Sequence, residues 1–314
     1  MTTSGTTAFN LDLNDLIEEA FERCGLELRS GYDFRTARRS LNLLTVEWAN
    51  RGINLWTVEQ GQIVMNTGQA MYALPNNTID LLDQVIRQNT GSSSNQIDIN
   101  ITRIAEPTYA SIPNKLTTGR PIQMWINRQS GQSNVTTATI TANVTSTSTT
   151  INVSDVTQLP AAGFIKLNNE LISYNTLTQT STSGVAGTLT NLGRGQQNTI
   201  PAAHTSGAVI TLSNPPCINV WPTPNAGGGY TFVYWRMRRV QDAGSGVTEQ
   251  DIPFRFIPCM VAGLAYYISM KKPEVPQDRV LMLKTDYEQQ FQLAADEDRE
   301  KAAWRVVPRN MFYA

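Results

Sequence analysis

Apolar residues recur at three- and four-residue steps near the start of the sequence, which is the spacing of an amphipathic helix. The first stripe consists of Leu13, Leu16, Ile17, Ala20, Phe21 and Cys24. Asp12 or Asn14 can cap this helix, and Gly25 suits a left-handed exit. A second stripe begins near Asp33, ends before Gly52 and consists of Phe34, Ala37, Leu41, Leu44 and Trp48. Two helices joined by so short a loop are expected to form an antiparallel hairpin.

Two further helices are predicted near the other end of the sequence. Residues 254–270 are apolar on nearly every side, which indicates a central, buried helix. The longest apolar stretch, residues 256–270, is about five residues too short to span a bilayer and contains Pro258, so no membrane contact is expected. Residues 277–303 carry one apolar stripe, which consists of Val280, Leu283, Tyr287, Phe291 and Ala294.

Between the helices the hydrophobic period changes to that of short strands. Residues 106–117, which include Pro107, are predicted to form a short helix or a loop. The predicted strands are interrupted by Gly and Pro turns. They lie at 56–65, 68–75, 81–87, 97–104, 121–128, 218–224 and 230–238.

The composition changes sharply at residues 134–213. This segment has four charged residues, Asp155, Lys166, Glu170 and Arg194, against 26 Ser or Thr. Thr alternates there with Ile and Val, which favours short strands in a small sandwich or barrel over a disordered linker. Without the segment, residues 124–128 would be joined to 218–221 by a short loop, as in a hairpin. We therefore predict a β module inserted at a hairpin tip, where insertions are tolerated.

These patterns predict an α+β fold class with two domains. One is a core of residues 1–133 and 214–314, in which segments 10–52 and 254–303 form an antiparallel helical bundle built from both chain termini. Residues 55–133 and 214–240 add a small antiparallel β region to that core. The other domain is the inserted all-β sandwich or barrel module, residues 134–213.

The charge and cysteine content narrow the function classes. Lys and Arg number 25 against 26 Asp and Glu, for a net charge of −1, which argues against a protein whose whole surface binds nucleic acid. Cys24, Cys217 and Cys259 are far apart, which indicates buried free thiols in a reducing cytosol rather than disulfides or a zinc site. The first residues lack the basic and apolar run of a signal peptide, so none is expected.

Few residues offer catalytic chemistry. The only histidine, His204, has no nearby triad or metal-ligand motif, so a structural role is expected, with no metal and no cofactor. Paired carboxylates, such as Glu18 with Glu19 or the acidic run 296–300, leave a glycoside-cleaving cell-wall hydrolase open. Two arginine clusters are candidate contacts to a neighbouring subunit or to DNA in a lumen, with plain surface charge as the alternative. They are Arg35, Arg38 and Arg39, and Arg236, Arg238 and Arg239.

Several segments in order resemble one protein family. They are residues 48–56 (WANRGINLW), 68–75 (GQAMYALP) and 221–224 (WPTP), followed by the closing helix pair. Together they resemble the head-to-tail adaptor proteins of podovirus-type bacteriophages, the tail tubular protein A-like or packaged-DNA-stabilising connectors. The resemblance covers about 1–133 and 214–314. Residues 139–145 (TITANVT), 193–195 (GRG) and 202–209 (AAHTSGAV) resemble a β module of phage structural proteins.

The resemblance implies a non-enzymatic structural protein in the neck of the virion, assembled in the host bacterial cytoplasm. It implies a homo-oligomeric ring, twelvefold like the portal, that joins the portal protein to the tail nozzle protein and to tail fibres or spikes. Double-stranded DNA would pass through its lumen without sequence-specific contacts. The segment 304–314 would dock on the portal, through Arg305, Val306, Val307, Pro308, Met311, Phe312 and Tyr313.

Two other function classes remain open at the level of sequence. A cell-wall hydrolase carried in the virion would need carboxylates that meet in a cleft. A glycan-binding or host-adhesion protein would act through 134–213, and such proteins usually expose aromatic rings. Phe164 and Tyr174 are the only aromatic residues in that module.

Overall fold

Five helices and sixteen strands form within the residues that the structure describes, which are 5, 9–53, 55–129, 131–180, 184–225 and 229–299 of a computed structural model. The helices are α1 (Leu13–Cys24), α2 (Gly31–Asn50), α3 (Glu106–Ala110), α4 (Ile257–Ser269) and α5 (Gln277–Glu297). The chain divides into two units, residues 1–58 with 239–314 (the first unit) and residues 59–238 (the second unit).

The strands are short and most belong to the second unit. Those before residue 130 are β1 (Val58–Val64), β2 (Met71–Ala73), β3 (Thr78–Gln88), β4 (Ile97–Asn100), β5 (Thr102–Arg103), β6 (Thr118–Gly119) and β7 (Gln123–Asn127). The next are β8 (Ser133–Thr139), β9 (Thr150–Val153), β10 (Gly163–Leu167), β11 (Glu170–Gln179), β12 (Gly187–Gly193) and β13 (Val209–Ser213). The last are β14 (Cys217–Trp221), β15 (Thr223–Pro224) and β16 (Tyr230–Arg238).

Capping side chains set the ends of the first two helices. Asp12 accepts a hydrogen bond from the Asp15 backbone N–H at 2.9 Å and so caps α1. Gly25 ends α1 with a φ of 74°, in the left-handed region that glycine adopts without strain. Ser30 caps α2 by accepting from the Asp33 N–H at 3.2 Å. The predicted caps of α1 are confirmed, while α2 begins at Gly31, slightly earlier than predicted.

The helices of the first unit share one hydrophobic core around α4. α4 is buried along most of its length, as predicted, and α1, α2 and α5 each pack against it. A Cβ at Gly263 would lie 2.9 Å from side-chain atoms of Leu44 and Tyr287, so the missing side chain permits this close packing. The Trp48 indole N–H donates to the Tyr287 hydroxyl at 3.2 Å. Among the described helices, none has the length and apolar character needed to cross a membrane.

The predicted fold class, an α+β fold built on an antiparallel helical bundle from both chain termini with a small antiparallel β region, is wrong. Strands account for 33% of the chain and lie in four sheets, whereas helices account for 28%. The helices are short, and three of them surround α4 instead of forming a bundle. The physical cause is that a periodic stripe shows which face of a helix is buried but not what covers it, so the stripes of α1, α2 and α5 did not reveal that each packs against α4.

Three of the four sheets are built from the strands that flank residues 134–213. Two of these sheets have four strands, in the orders β1-β16-β3-β4 and β2-β14-β7-β5, and the third pairs β15 with β6. The pairs β5–β7 and β6–β15 are parallel, so the region is not purely antiparallel. β7 and β14 pair antiparallel, with Ile126 opposite Ile218, which confirms that these two segments pair as in a hairpin.

Residues 133–213 form the fourth sheet, in the order β8-β13-β10-β11-β12-β9. Its two outer strands meet through a bridge between Ile140 and Val153, so the sheet closes on itself. Alternate residues of its strands fill one separate apolar core. A small additional cluster, made of Ala73, Phe164, Leu171 and Cys217, packs this sheet against β2 and β14.

Polar contacts also join this sheet to the neighbouring segment 66–76. The buried Gln69 side chain donates through Nε2 to the Ser173 hydroxyl at 3.2 Å. The Ala73 N–H donates to Oε1 of Gln196 at 3.1 Å, and the Asn175 amide donates to the Gly68 carbonyl at 2.8 Å. The sheet is thus fixed to the rest of the second unit by specific side-chain contacts as well as by its two chain connections.

Candidate functional site

The first arginine cluster lies on the surface of α2. Arg35, Arg38 and Arg39 are all exposed. Arg35 donates to the Gly31 carbonyl at 3.3 Å and Arg38 to the Gly244 carbonyl at 3.4 Å, both weak contacts for charged side chains. Because these guanidinium groups are accessible, they remain candidate contacts to a neighbouring subunit or to DNA.

The second arginine cluster is largely engaged within the second unit. Arg236 is 8% exposed and donates to Glu59 at 2.8 Å, to Asn77 at 2.7 Å and to Thr78 at 2.9 Å. Arg238 donates to the other oxygen of Glu59 at 2.6 Å. The two guanidinium groups bind the same carboxylate and so lie on one face of β16, and Glu59 belongs to the adjacent strand β1. Their charge therefore stabilises this strand pair.

Arg239 follows β16 directly and is exposed, with interactions of its own. The role of both clusters as subunit or DNA contacts stays a prediction. The structure divides them into an accessible group on α2 and a group that is mostly bound to Glu59.

A buried charged cluster was not identified from the sequence. Glu170, at the start of β11, is 1% exposed and accepts hydrogen bonds from Nε and Nη2 of Arg194, both at 2.7 Å. The backbone N–H groups of Gly195 and Ala202 donate to the same carboxylate at 3.1 and 3.0 Å. His204 Nε2 lies 2.8 Å from it. The carboxylate is therefore fully satisfied by four neighbouring residues.

The electrostatics of this cluster follow from its contacts. Burial alone would raise the pKa of Glu170, but the hydrogen bonds from Arg194, Ala202 and His204 outweigh burial and lower the pKa to about 2. His204 Nδ1 lies 3.3 Å from the Asn168 side-chain amide nitrogen, so the ring accepts there and donates through Nε2 to Glu170. The cluster thus joins three chain segments of the closed sheet, and His204 sits in a structural position.

The carboxylates that left a cell-wall hydrolase open lie on two different helices. Glu18 and Glu19 lie on α1, where Glu19 accepts from Arg23 at 2.9 Å. Asp296 pairs with Arg299 at 2.7 Å near the end of α5. No group of His, Cys, Asp and Glu within the described ranges has the arrangement of a metal site.

A groove of about 520 Å³ lies along α1 and the first turn of α4, within the first unit. Four carboxylates line it, those of Asp15, Glu18, Glu19 and Glu22. Its apolar lining consists of Phe9, Leu11, Ile257, Pro258 and Val261. Phe9 is 71% exposed. The groove therefore combines an acidic rim with an apolar surface, a combination suited to a basic and apolar peptide.

The helices of the first unit also expose large apolar side chains. Leu43 and Val46 on α2 are 53% and 57% exposed, and their three-residue spacing puts them on one face. Met282 and Leu293 on α5 are 60% and 59% exposed and lie about three turns apart along one stripe. Such residues beyond a subunit's own core are typical of surfaces that another chain covers.

The predicted portal-docking residues, Arg305 to Tyr313, lie outside the described residues. Their proposed role stays a prediction.

Comparison with known proteins gives one family. Residues 109–311 match the family described as SU10 adaptor protein, well over half of the chain. The matched range includes the closed sheet and continues through α5. No curated protein matches the sequence. The resemblance to phage adaptor proteins is confirmed at the level of the family, whereas the assignment to podovirus-type connectors stays a prediction.

Proposed function

Because the chain belongs to the SU10 adaptor protein family, we propose that it forms the ring that joins the portal to the tail nozzle of a bacteriophage. Membership of this family makes the protein a structural adaptor of a phage virion. The finer assignment is that identical subunits close a ring below the portal, most simply with twelve copies. That ring helps to retain the packaged DNA and then conducts it.

The observation that carries the proposal is the apolar surface on the helices of the first unit. Leu43, Val46, Met282 and Leu293 are each more than half exposed, although the unit already has a complete core. Burying a side chain of this size stabilises a contact by about 1.5–3 kcal/mol. Ring symmetry repeats each contact at every subunit boundary, so modest contacts add up to a durable joint.

The charge distribution suits a conduit. With a net charge of −1, the subunit has no excess of positive charge to bind DNA phosphates. A lumen that made many phosphate contacts would hold DNA instead of releasing it. Arg35, Arg38 and Arg39 are the accessible arginines that we propose as contacts to acidic groups of the adjacent subunit or to passing DNA. The function requires neither a catalytic group nor a cofactor.

Electron microscopy of the full chain mixed with purified portal tests the proposal. We expect rings seated on one end of the portal, and class averages give the number of copies. The chain alone, at the same concentration, is the control. Absence of any portal-bound ring at micromolar concentrations of both proteins would contradict the portal-linking function.

Deletion of residues 305–314 tests the proposed docking segment separately. We expect the shortened chain to show reduced co-sedimentation with the portal. Undiminished binding would remove this segment from the proposal and leave the ring itself untouched.

A further inference from the structure

The acidic groove along α1 and the start of α4 has a matching segment in the same chain. We propose that, in the free subunit, this groove binds residues 301–314 of its own chain. The inference concerns the subunit before it meets other virion components, and it does not rest on the proposed function.

The charges of the groove and the segment are opposite. Residues 301–314 contain Lys301, Arg305 and Arg309 and no acidic residue. The groove presents four carboxylates, and its one basic residue, Arg23, is paired with Glu19 and with Asp286. Several ion pairs at a partly apolar surface add stabilisation that salt weakens.

Glu18 and Glu22 are the carboxylates best placed to accept these ion pairs. Both are exposed and lie four residues apart on one face of α1. Neither forms an ion pair within the part of the chain that the structure describes, so both can bind basic side chains without losing an existing partner.

The apolar surfaces also match. The segment has large side chains in close succession, Trp304, Val306, Val307, Met311, Phe312 and Tyr313. A volume of about 520 Å³ is within the range of pockets that bury peptide-sized apolar groups. Ile257, Pro258 and Val261 supply the apolar contact surface, and Phe9 at the edge is accessible to pack against an incoming ring.

The chain leaves α5 close to the groove. Glu297, the last residue of α5, pairs with Arg255, which precedes the groove residues Ile257 and Pro258 by only a few positions. A chain extends by about 3.3 Å per residue, so residues 298–304 can span roughly 20 Å. That distance exceeds the rise of one or two helical turns along α4, so residues 298–304 are long enough to bring the segment to the groove.

Photo-crosslinking of the full chain tests the proposal. Phe312 is replaced by p-benzoylphenylalanine, the purified subunit is irradiated, and the crosslinked peptides are mapped by mass spectrometry. We expect crosslinks to residues 9–23 and 257–261. Crosslinks that fall mainly elsewhere in the chain would overturn the proposal. An equal mixture of isotopically light and heavy subunits should give light–light and heavy–heavy products, and mixed products would overturn the assignment to the same chain.

Charge reversal identifies the role of the acidic rim. The double variant Glu18→Lys with Glu22→Lys should lower the yield of these crosslinks about tenfold, the factor that corresponds to 1.4 kcal/mol. The matched control, Glu27→Lys with Glu274→Lys, reverses two exposed charges of the first unit outside the groove and should leave the yield unchanged. Equal yields in both double variants would contradict the role of the rim.

Salt provides a measurement that needs no substitution in the groove. Raising the ionic strength from about 0.05 to about 1 M shortens the screening length severalfold, so the crosslink yield of the photoreactive chain should fall. A yield that is independent of salt would contradict an electrostatic groove.

Discussion

Glu170 shows how one buried charge can organise a sheet that is almost free of charge. Only four charged residues occur between 134 and 213, and two of them, Glu170 and Arg194, form a bidentate pair. The carboxylate also binds two backbone N–H groups and His204, so it holds together β11, the turn after β12 and the loop before β13. This one carboxylate therefore fixes three segments of the sheet relative to one another.

The substitution Glu170→Gln should strongly destabilise the second unit. It leaves the guanidinium of Arg194 buried without a counter-charge, and breaking a buried pair in this way costs about 3–5 kcal/mol. Denaturant unfolding followed by circular dichroism measures the loss. Asp155→Asn is the matched control in the same segment. Asp155 is partly exposed, and the asparagine oxygen can still accept the two hydrogen bonds from Thr157, so this variant should stay within about 0.5 kcal/mol of the natural chain. Similar midpoints for both variants would contradict a central role for Glu170.

The same carboxylate predicts how stability depends on pH. Its pKa is lowered from 4.5 to about 2 in the folded chain, so the unfolded chain binds the proton more readily. Its stabilising contribution is therefore complete above pH 4.5 and is lost as the pH falls toward 2. The difference in unfolding free energy between the natural chain and Glu170→Gln should shrink between pH 7 and pH 3. A difference of the same size at both pH values would show that the charge is not responsible.

At the scale of single elements, Gly263 determines how closely the helices of the first unit approach α4. A side chain there would contact Leu44 and Tyr287 at 2.9 Å, closer than ordinary packing allows. We expect Gly263→Val to destabilise the first unit by about 1–3 kcal/mol, the usual range for an overpacked core. Thermal unfolding measures the effect. Gly31→Ala, at an open position of α2, is the control, and an unchanged melting temperature for Gly263→Val would show that the packing relaxes freely.

The elements differ in how well the sequence predicts them. The caps Asp12 and Gly25 and the buried face of α1 follow from local chemistry, and the sequence predicts them correctly. The pairing of β7 with β14 is also predictable, because two similar strands flank one compositionally distinct segment. The strands β5 and β6 have two residues each and show no detectable period. The parallel pairing of β5 with β7 and of β6 with β15 therefore could not be predicted.

The buried cluster and the fold class depend on contacts distant in sequence. Glu170, Arg194 and His204 are spread over 35 positions, and spacing alone does not bring them together. The sequence did offer one signal, the scarcity of polar chemistry in the Thr-rich segment 134–213. The only histidine lies there, and two of the segment's four charged residues belong to the cluster. The predicted helical bundle failed for the same reason, because a periodic stripe identifies a buried face but not what covers it.

At the scale of the whole molecule, the two units differ in how they use their surfaces. The second unit directs its principal arginines and its buried carboxylate inward, to Glu59 and within the closed sheet. The first unit leaves the arginines of α2 accessible beside exposed apolar side chains, whereas the second unit exposes apolar side chains such as Val135 and Ile200 on its strands and loops. An adaptor ring needs accessible contacts on each subunit, and we expect α2, which offers apolar and positively charged side chains together, to supply one of them.

The exposed face of α2 gives a direct prediction for assembly. Leu43→Asp with Val46→Asp places charges at two positions that are more than half exposed, so the subunit should fold normally with an unchanged circular dichroism spectrum. If these side chains are buried between ring neighbours, the double variant loses about 3 kcal/mol or more at each boundary. Sedimentation velocity in the presence of portal should then show free subunits where the natural chain shows rings. Val247→Asp, at a 79% exposed loop position of the same unit, is the matched control and should assemble normally. Ring formation by the α2 variant equal to that of the control would move the interface away from α2, because a buried boundary does not accept two unpaired carboxylates at every repeat.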